Sequence, residues 1–325
     1  MKAIVYTRYG PPDVLKLTEV EKPTPNDDEV LIRTYAATVT AGDCEVRAFK
    51  FPMWIWLPLR IMFGLTKPRI PILGQELAGE IEAVGSDVTN FKRGEQIFAT
   101  CNDFGAYAEY KCLPSDGPIA TKPANMSYEE AASIPTGAYN SLHFLRKANI
   151  QKGQEVIING AGGGIGVLAI QLAKYFGAEV TGVDSAEKLD TLRAIGADHV
   201  IDYKQVDFTE TGETYDVIFD IFGKSPYARS IKSLKPNGRY LLGNPRLSSI
   251  LRGLWTSKTS DKKVIWAFAG ARAEDLDFVR SLIEAGTIRA VIDRSYPLEQ
   301  MADAHAYVET GRKKGSVAIT IDHED

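Results

Sequence analysis

The sequence predicts an α/β protein with two structural parts: a small antiparallel β domain, and a doubly wound parallel sheet with helices on its faces. The chain has 325 residues, about twice the usual length of one domain. Residues 1–125 contain short strand-like runs separated by glycine and proline, whereas residues 126–270 alternate strand-like and helix-like patterns. Such alternation is typical of βαβ units and therefore of a parallel sheet.

In the first part, runs rich in β-branched and aromatic residues predict the strands. These runs lie at residues 2–7, 30–37, 80–84, 96–99 and 106–111. Glycines and a proline-rich segment separate them, which indicates a compact antiparallel β domain.

Six apolar runs predict the parallel sheet of the second part, and six strands complete a doubly wound sheet. They lie at residues 155–159, 179–183, 200–201, 217–219, 240–242 and 264–268. A helix should follow the first strand, because apolar residues recur every four positions from Leu168 to Phe176 and Gly177 stands where a glycine ends a helix. A second helix should begin near Ala186.

Residues 271–325 are too few for a third domain. Their patterns predict a helix with apolar residues between 276 and 283, a strand near 291–292, a helix at 301–308 and a strand at 316–321. We therefore expect this segment to return to the β domain and complete it.

The composition excludes several classes of protein. Hydrophobic residues make up 44% of the chain and charged residues 25%, which are ordinary values for a globular protein and argue against wholesale disorder. The 38 basic and 42 acidic side chains give a net charge of −4 without a block of like charge, so nucleic acid is not an expected partner. Cys44, Cys101 and Cys112 lack paired spacing, which favours a reducing compartment, and we expect the cytoplasm.

A glycine-rich turn follows the first strand of the parallel sheet. Ala161, Gly163 and Gly166 have the spacing of the G-x-G-x-x-G motif, with alanine in the first place. Because a strand precedes this turn and a helix follows it, the context is that of a Rossmann dinucleotide site, with the phosphates on the helix N-terminus. We expect the pyrophosphate of NAD(P)H to lie against Ala161, Gly163, Gly164, Ile165 and Gly166. The alternative is a turn that only packs.

The choice between NADH and NADPH depends on the end of the next strand. Asp184 stands there, 18 residues beyond Gly166, where a carboxylate would bind the ribose hydroxyls and repel a 2′-phosphate. Glu187 adds to this repulsion. Lys188 and Tyr203 favour NADPH instead, since either could lie beside a 2′-phosphate. Alternatively, Lys188 is a solvated helix residue and Tyr203 an aromatic at a strand end. On balance the sequence favours NADH.

Several further blocks resemble one known family over nearly the whole chain. They are AATVTAGD at 36–43, PILGQELAGEI at 71–81, GAYAEY at 105–110, GAGGGIG at 160–166, GADHVIDY at 196–203 and GRKKG at 311–315. The chain resembles the zinc-independent quinone oxidoreductase branch of the medium-chain dehydrogenase/reductase superfamily. This resemblance implies a GroES-like domain formed by residues 1–125 and 271–325, a Rossmann domain at 126–270, an active site in the cleft, and a homodimer joined through edge strands of the cofactor domains.

Zinc-dependent relatives bind a catalytic metal through Cys, His and a third Cys or Asp. The corresponding positions here are Thr40 and Gln75, with an apolar or hydroxyl residue near Ala132 and Ser133, and neutral side chains of this kind do not bind zinc. The four histidines are scattered without ligand spacing. We therefore expect no metal site.

Without a Lewis acid, alcohol oxidation is difficult, whereas a conjugated acceptor needs only well-placed hydrogen-bond donors. The sequence therefore predicts hydride transfer from NAD(P)H to a hydrophobic quinone, enone or related carbonyl. Thr40 is the first candidate donor, with Asp43 as its orienting group, although Thr40 could equally cap a turn. Gln75 could offer its amide to substrate or be simply buried. Two other functions stay open: a metal-free alcohol or ketone dehydrogenase, and a non-catalytic nucleotide-binding regulator.

The remaining candidate cofactor contacts follow from the resemblance and from strand ends. Thr136 matches a family segment that would bond the nicotinamide carboxamide. Gly243 and Asn244 end a strand at the ligand-binding edge and could border the nicotinamide ribose, and Phe268 occupies the same place one strand later. Lys314 resembles a near-terminal lysine of relatives that faces the cofactor, or else belongs to a solvated turn.

The segment 51–63 (FPMWIWLPLRIMF) is unusually apolar and aromatic. It is 13 residues long and contains Pro52, Pro58 and Arg60, so it is too short to span a bilayer, which takes about 20 apolar residues. Three interpretations remain: a lid over the substrate cleft, a dimer surface and a membrane-surface patch.

Overall fold

The computed structural model describes residues 1–323, and the chain divides into two units. The first unit comprises Met1–Thr136, Ala271–Gly286 and the segment from Ala290 onward. The second unit comprises Gly137–Gly270 with Thr287–Arg289.

The helices and strands of the described chain are numbered here in order. The strands are β1 (Lys2–Val5), β2 (Lys16–Glu19), β3 (Glu29–Thr38), β4 (Glu76–Val84), β5 (Gln96–Thr100), β6 (Tyr110–Pro114), β7 (Ile119–Thr121), β8 (Glu155–Asn159), β9 (Glu179–Asp184), β10 (His199–Asp202), β11 (Tyr215–Asp220), β12 (Leu234–Leu242), β13 (Lys263–Trp266), β14 (Ile292–Pro297) and β15 (Ser316–Thr320). The α-helices are α1 (Ala41–Ala48), α2 (Met53–Phe63), α3 (Tyr128–Ala132), α4 (Pro135–Ala148), α5 (Gly164–Tyr175), α6 (Leu189–Ala194), α7 (Tyr227–Lys232), α8 (Leu247–Thr259), α9 (Ala273–Glu284) and α10 (Met301–Glu309).

The first unit is built on a largely antiparallel sheet. Its strands lie in the order β14-β15-β3-β4-β5-β7, with β6 also paired to β3. Only β14 and β15 run parallel to each other, and β1 pairs with β2 as a separate ribbon. Because Ala318 in β15 lies opposite Thr38 in β3, the last strand of the chain joins the sheet formed by the first residues.

The second unit contains the predicted doubly wound sheet. Six parallel strands lie in the order β10-β9-β8-β11-β12-β13. The order of the strands reverses between β8 and β11, which is where such sheets bind ligands at their carboxyl edge. Val156, Ile157 and Ile158 in β8 are fully buried, as expected for a strand covered on both faces.

Several predicted boundaries were wrong. The predicted strand 106–111 is displaced to Tyr110–Pro114, because the amides of Ala106 and Tyr107 bond the loop carbonyls of Gly74 and Leu73 instead of a strand. The predicted strand 264–268 ends at Trp266, opposite the last residue of β12. Two further elements are shorter than predicted: β1 ends at Val5, and the helix expected near residue 186 opens as a 3₁₀ turn before α6.

None of the helices within residues 1–323 has the length and apolar character needed to cross a bilayer.

Candidate active site

The glycine turn of the second unit joins β8 to α5. Gly160 adopts a φ of 88°, and the amides of Gly160 and Ala161 both donate to the carbonyl of Val183. A Cβ at Gly166 would lie 2.4 Å from the oxygen of Gly160 and 2.5 Å from that of Ala161. Glycine is therefore required at position 166, because the helix starts against the backbone of the turn.

Gly163 has a different environment from Gly166. It is the N-cap of α5, and among the described residues that do not adjoin it in the chain, a Cβ built there would have the oxygen of Gly160 as its one neighbour within 4 Å, at 3.8 Å. The amides of the first helical turn, from Gly164 to Gly166, have no preceding helical carbonyl to bond. The space above Gly163 thus adjoins N–H groups that suit a phosphate, and these residues fit the pyrophosphate of a dinucleotide. Ala161 is fully buried and packs beneath the turn.

Asp184 lies at the end of β9, as predicted, but its carboxylate already has partners. Oδ2 accepts the amide of Gly162 at 2.8 Å, and Oδ1 accepts that of Ser185 at 2.8 Å. Lys188 Nζ lies 3.1 Å from Oδ1, and both side chains are buried. The alternative interpretation of Lys188, a solvated helix residue, was wrong, because its ammonium group is buried and pairs with Asp184 below the turn.

The other predicted cofactor residues of the second unit lie at the carboxyl ends of strands. Tyr203 follows β10 and is exposed. Gly243 follows β12, and a Cβ there would lie 2.9 Å from the oxygen of Ile221, so the backbone segments at Gly243 and Ile221 lie very close together. Asn244 is exposed beside it, and Phe268 lies beyond β13 with 79% of its surface exposed.

In the first unit, the three predicted catalytic residues are brought together by the start of α1. Thr40 is the N-cap of this helix and Asp43 completes a capping box. Thr40 Oγ1 donates to Asp43 Oδ2 at 2.7 Å, and the amide of Asp43 donates back to Oγ1 at 3.1 Å. Gln75 Nε2 donates to the same hydroxyl oxygen at 2.9 Å. Thr40, Asp43 and Gln75 are called the polar cluster below.

The hydrogen bonds within the polar cluster determine which of its groups can still donate a hydrogen bond to a substrate. A hydroxyl has one proton and two lone pairs, and Thr40 uses all three. Asp43 is fully buried and accepts the amides of Thr40 and Gly74. Burial raises the pKa of Asp43, and these hydrogen bonds oppose the rise. Gln75 is half-buried and keeps a second amide proton without a partner among residues 1–323.

Glu76 is a buried carboxylate that sequence reasoning missed. Its oxygens accept the hydroxyl of Thr38 and the amide of Thr136, the latter at 2.7 Å. Burial raises the pKa of Glu76, and the bonds to Thr38 and Thr136 oppose the rise. The same strand also contains Glu80 and Glu82, so no local sequence signal singled out Glu76. Thr136, predicted to contact nicotinamide, is thus held by Glu76 inside the first unit.

Lys314 also belongs to the first unit, in the loop between α10 and β15. It is half-buried. The next residue, Gly315, has a φ of 74°, and a Cβ there would lie 2.1 Å from the oxygen of Val291. The turn is therefore tightly fixed beside Lys314, whose contact with a cofactor stays a prediction.

The described part of the chain brings no three His, Cys, Asp or Glu side chains together in a group that could hold a metal ion. His305 packs inside the first unit, with Nδ1 at 3.1 Å from Arg47 and 3.4 Å from Cys44 Sγ. Burial, and then the positive charge of Arg47, lower its pKa to about 3. His305 is therefore a neutral core residue.

Comparison with known proteins identifies the family. The 2-methylene-furan-3-one reductase of Solanum lycopersicum is 32% identical over 332 residues, which cover 98% of this chain and 79% of that protein. The chain belongs to the medium-chain dehydrogenase/reductase superfamily. Two family models match it: an alcohol dehydrogenase GroES-like domain over residues 26–136, and a zinc-binding dehydrogenase over residues 195–319.

Other members of the superfamily are similar over the same length. A chloroplastic NADPH-dependent alkenal/one oxidoreductase of Arabidopsis thaliana is 30% identical over 335 residues, covering 98% of this chain and 79% of that protein. The structure of the quinone oxidoreductase from Coxiella burnetii superimposes with a TM-score of 0.87 at 29% identity, and 99% of each chain is covered. The predicted fold class, a Rossmann-type parallel sheet with a GroES-like domain, is confirmed.

Proposed function

We propose that this medium-chain enzyme transfers hydride from NAD(P)H to a quinone, an enone or a related conjugated carbonyl, without zinc. The observation that carries the proposal is the polar cluster: a neutral amide and a hydroxyl, bonded to each other, occupy the positions that match zinc ligands in zinc-dependent relatives. Relatives named as quinone, alkenal/one and furanone reductases support the same substrate class.

The glycine turn would hold the dinucleotide. The amides of Gly164 and Ile165 would bind its pyrophosphate over the open side of Gly163. When bound, NAD(P)H supplies the hydride that reduces the conjugated carbon of the acceptor. Thr136 and Lys314 in the first unit, and Gly243, Asn244 and Phe268 in the second, are proposed as further contacts.

Gln75 is the proposed donor to the acceptor's oxygen. Its free amide proton can bond the oxygen on which negative charge develops as hydride arrives. Thr40 and Asp43 are positioning residues. The hydroxyl of Thr40 has no hydrogen-bonding capacity left for a substrate, and it fixes the orientation of the Gln75 amide. Asp43 is buried and bonded to two amides, so the proton that completes the reduction comes from solvent.

A turnover assay tests the proposed function. Oxidation of NADH and NADPH is followed with quinones, enones and ketones, before and after treatment with a chelator and with metal analysis of the protein. We expect turnover of quinones or enones that chelation does not reduce. Turnover of ketones and alcohols alone would favour the metal-free dehydrogenase, and cofactor binding without any turnover would favour the regulatory protein.

We propose NADH as the preferred cofactor. Lys188 is engaged by Asp184, so its charge is directed to that carboxylate and away from a 2′-phosphate. Glu187 adds an exposed negative charge nearby. The Arabidopsis relative is named NADPH-dependent, so this assignment depends on residues of this chain alone.

Asp184→Ser should shift the preference toward NADPH. The substitution leaves Lys188 without its carboxylate, and a new charge-assisted bond to the 2′-phosphate would change the ratio of kcat/KM values by about 10- to 100-fold. The measurement is kcat/KM for both cofactors, with Glu187→Gln as a control expected to change the ratio much less. An unchanged ratio in Asp184→Ser would contradict the assignment.

We also propose a cytoplasmic homodimer joined through β13. Among the described residues only β12 pairs with this edge strand. Neighbouring α8 exposes Leu251, Leu254 and Trp255, the last with 71% of its surface free. A second copy could extend the sheet and cover these side chains.

Trp255→Glu should therefore dissociate the dimer. Sedimentation equilibrium should give twice the 35.7 kDa chain mass for the unmodified protein and one chain mass for the variant. Tyr175→Glu, which changes another exposed aromatic residue of the second unit, should remain dimeric. A Trp255→Glu protein that kept the double mass would refute this interface.

A further inference from the structure

The outer face of α2 is apolar. On its inner face, Leu59 and Phe63 pack with the core of the first unit. On its outer face, Met53 is 87% and Leu57 57% exposed, and Trp54, Ile61 and Met62 are exposed as well. A helix that packs on a core normally presents polar residues to water, so this face is an unusual apolar patch.

The patch is held firmly in place. The guanidinium of Arg60 lies over the ring of Tyr9 at 4.1 Å and that of Phe49 at 4.6 Å. Its Nε donates to the carbonyl of Leu65 at 2.9 Å, and the hydroxyl of Tyr9 donates to the carbonyl of Phe63 at 2.8 Å. These contacts fix α2, and with it the apolar face, against the first unit.

The charged residues in the sequence segment that carries α2 all have one sign. Residues 46–75 contain no Asp or Glu but five basic side chains, in a chain whose net charge is −4. Three of the five, Lys50, Lys67 and Arg69, are exposed. A second copy of this chain would bring two positive rims together, which disfavours self-association through this face. An anionic surface is the complementary partner.

The length of α2 restricts how it could meet a bilayer. Its 11 residues extend about 16 Å, roughly half of the hydrocarbon thickness. A helix of this length lies in the interface, where tryptophan is favoured and basic residues meet lipid phosphates. We propose that α2 docks the protein on the surface of an anionic lipid bilayer, with its apolar face in the headgroup region and Lys50, Lys67 and Arg69 on the lipid phosphates. This proposal does not depend on the reaction catalysed.

The test is flotation of the full chain with vesicles of phosphatidylcholine alone and of phosphatidylcholine mixed with phosphatidylserine. One variant combines Met53→Ser, Leu57→Ser and Ile61→Ser; a second combines Lys50→Gln, Lys67→Gln and Arg69→Gln. The matched charge control combines Lys16→Gln, Arg93→Gln and Lys258→Gln, all on exposed residues elsewhere. Thermal melting establishes that each variant is folded.

We expect the unmodified protein to bind the phosphatidylserine vesicles, with a blue shift of tryptophan emission and weaker binding at high salt. The charge variant should bind about 100-fold more weakly, since each basic group near an anionic surface contributes roughly fivefold. The affinity of the apolar variant for these vesicles should fall at least about tenfold. The charge control should bind as strongly as the unmodified protein.

Equal binding by all three folded variants would overturn the proposal, as would no binding by the unmodified protein. If the apolar variant instead changed the sedimentation mass and left vesicle binding intact, the face would be a contact between copies of this chain.

Discussion

Gly163→Val should abolish dinucleotide binding while leaving the protein folded. Apart from the adjoining residues, a Cβ at this position meets one atom of residues 1–323 within 4 Å, and the φ of −90° suits a β-branched residue. The valine methyls would occupy the space over the α5 amides, where the pyrophosphate must lie. We expect the Kd for NADH to rise about 100-fold or more, because each hydrogen bond to a charged group contributes roughly 1.5–3 kcal/mol.

The measurement is isothermal titration with NADH, together with the melting temperature of the free protein. Gly166→Ala provides the contrast, because its Cβ would collide with backbone oxygens and should lower the melting temperature as well as binding. If Gly163→Val bound NADH normally, the pyrophosphate could not lie over this turn.

Gln75→Leu should reduce kcat/KM for an enone by about 100-fold or more, the usual effect of removing one donor to a developing oxyanion. The fall should appear mainly in kcat, because the bond strengthens as charge moves onto the acceptor's oxygen. Single-turnover kinetics with saturating NADH measures it directly.

Gln75→Glu tests whether Gln75 acts as a donor or only fills space. The glutamate has the same size but replaces the amide donor with an acceptor, so we expect a loss at least as large as in Gln75→Leu. Gln205→Leu, on an exposed residue of the second unit, should have no effect. Full activity in Gln75→Glu would mean that Gln75 only packs, and the assignment of the donor would fail.

The sequence was sufficient for the features that depend on local pattern. The run of apolar residues before Gly160, the glycine spacing and Gly177 after α5 predicted the strand, turn and helix of the second unit, because each is set by nearby backbone geometry. The grouping of Thr40 with Asp43 was likewise predictable, since a capping box joins residues three apart.

Choices between distant partners could not be predicted in the same way. Whether Lys188 points to solvent or beneath the glycine turn depends on the position of Asp184 in the folded sheet. The saturation of the Thr40 hydroxyl depends on Gln75, which is 35 positions away. Glu76 in β4 accepts the amide of Thr136, which is 60 positions away, and no periodic pattern in the sequence predicts this contact.

Isotope transfer is the measurement that tests the proposed reaction most directly. The purified, chelator-treated protein is mixed with an enone and NADH that carries deuterium at both C4 positions, and the product is analysed by mass spectrometry and NMR. We expect a saturated ketone with one deuterium at its β-carbon. An allylic alcohol with deuterium on the carbonyl carbon, or a reaction that stops when metal is removed, would contradict it.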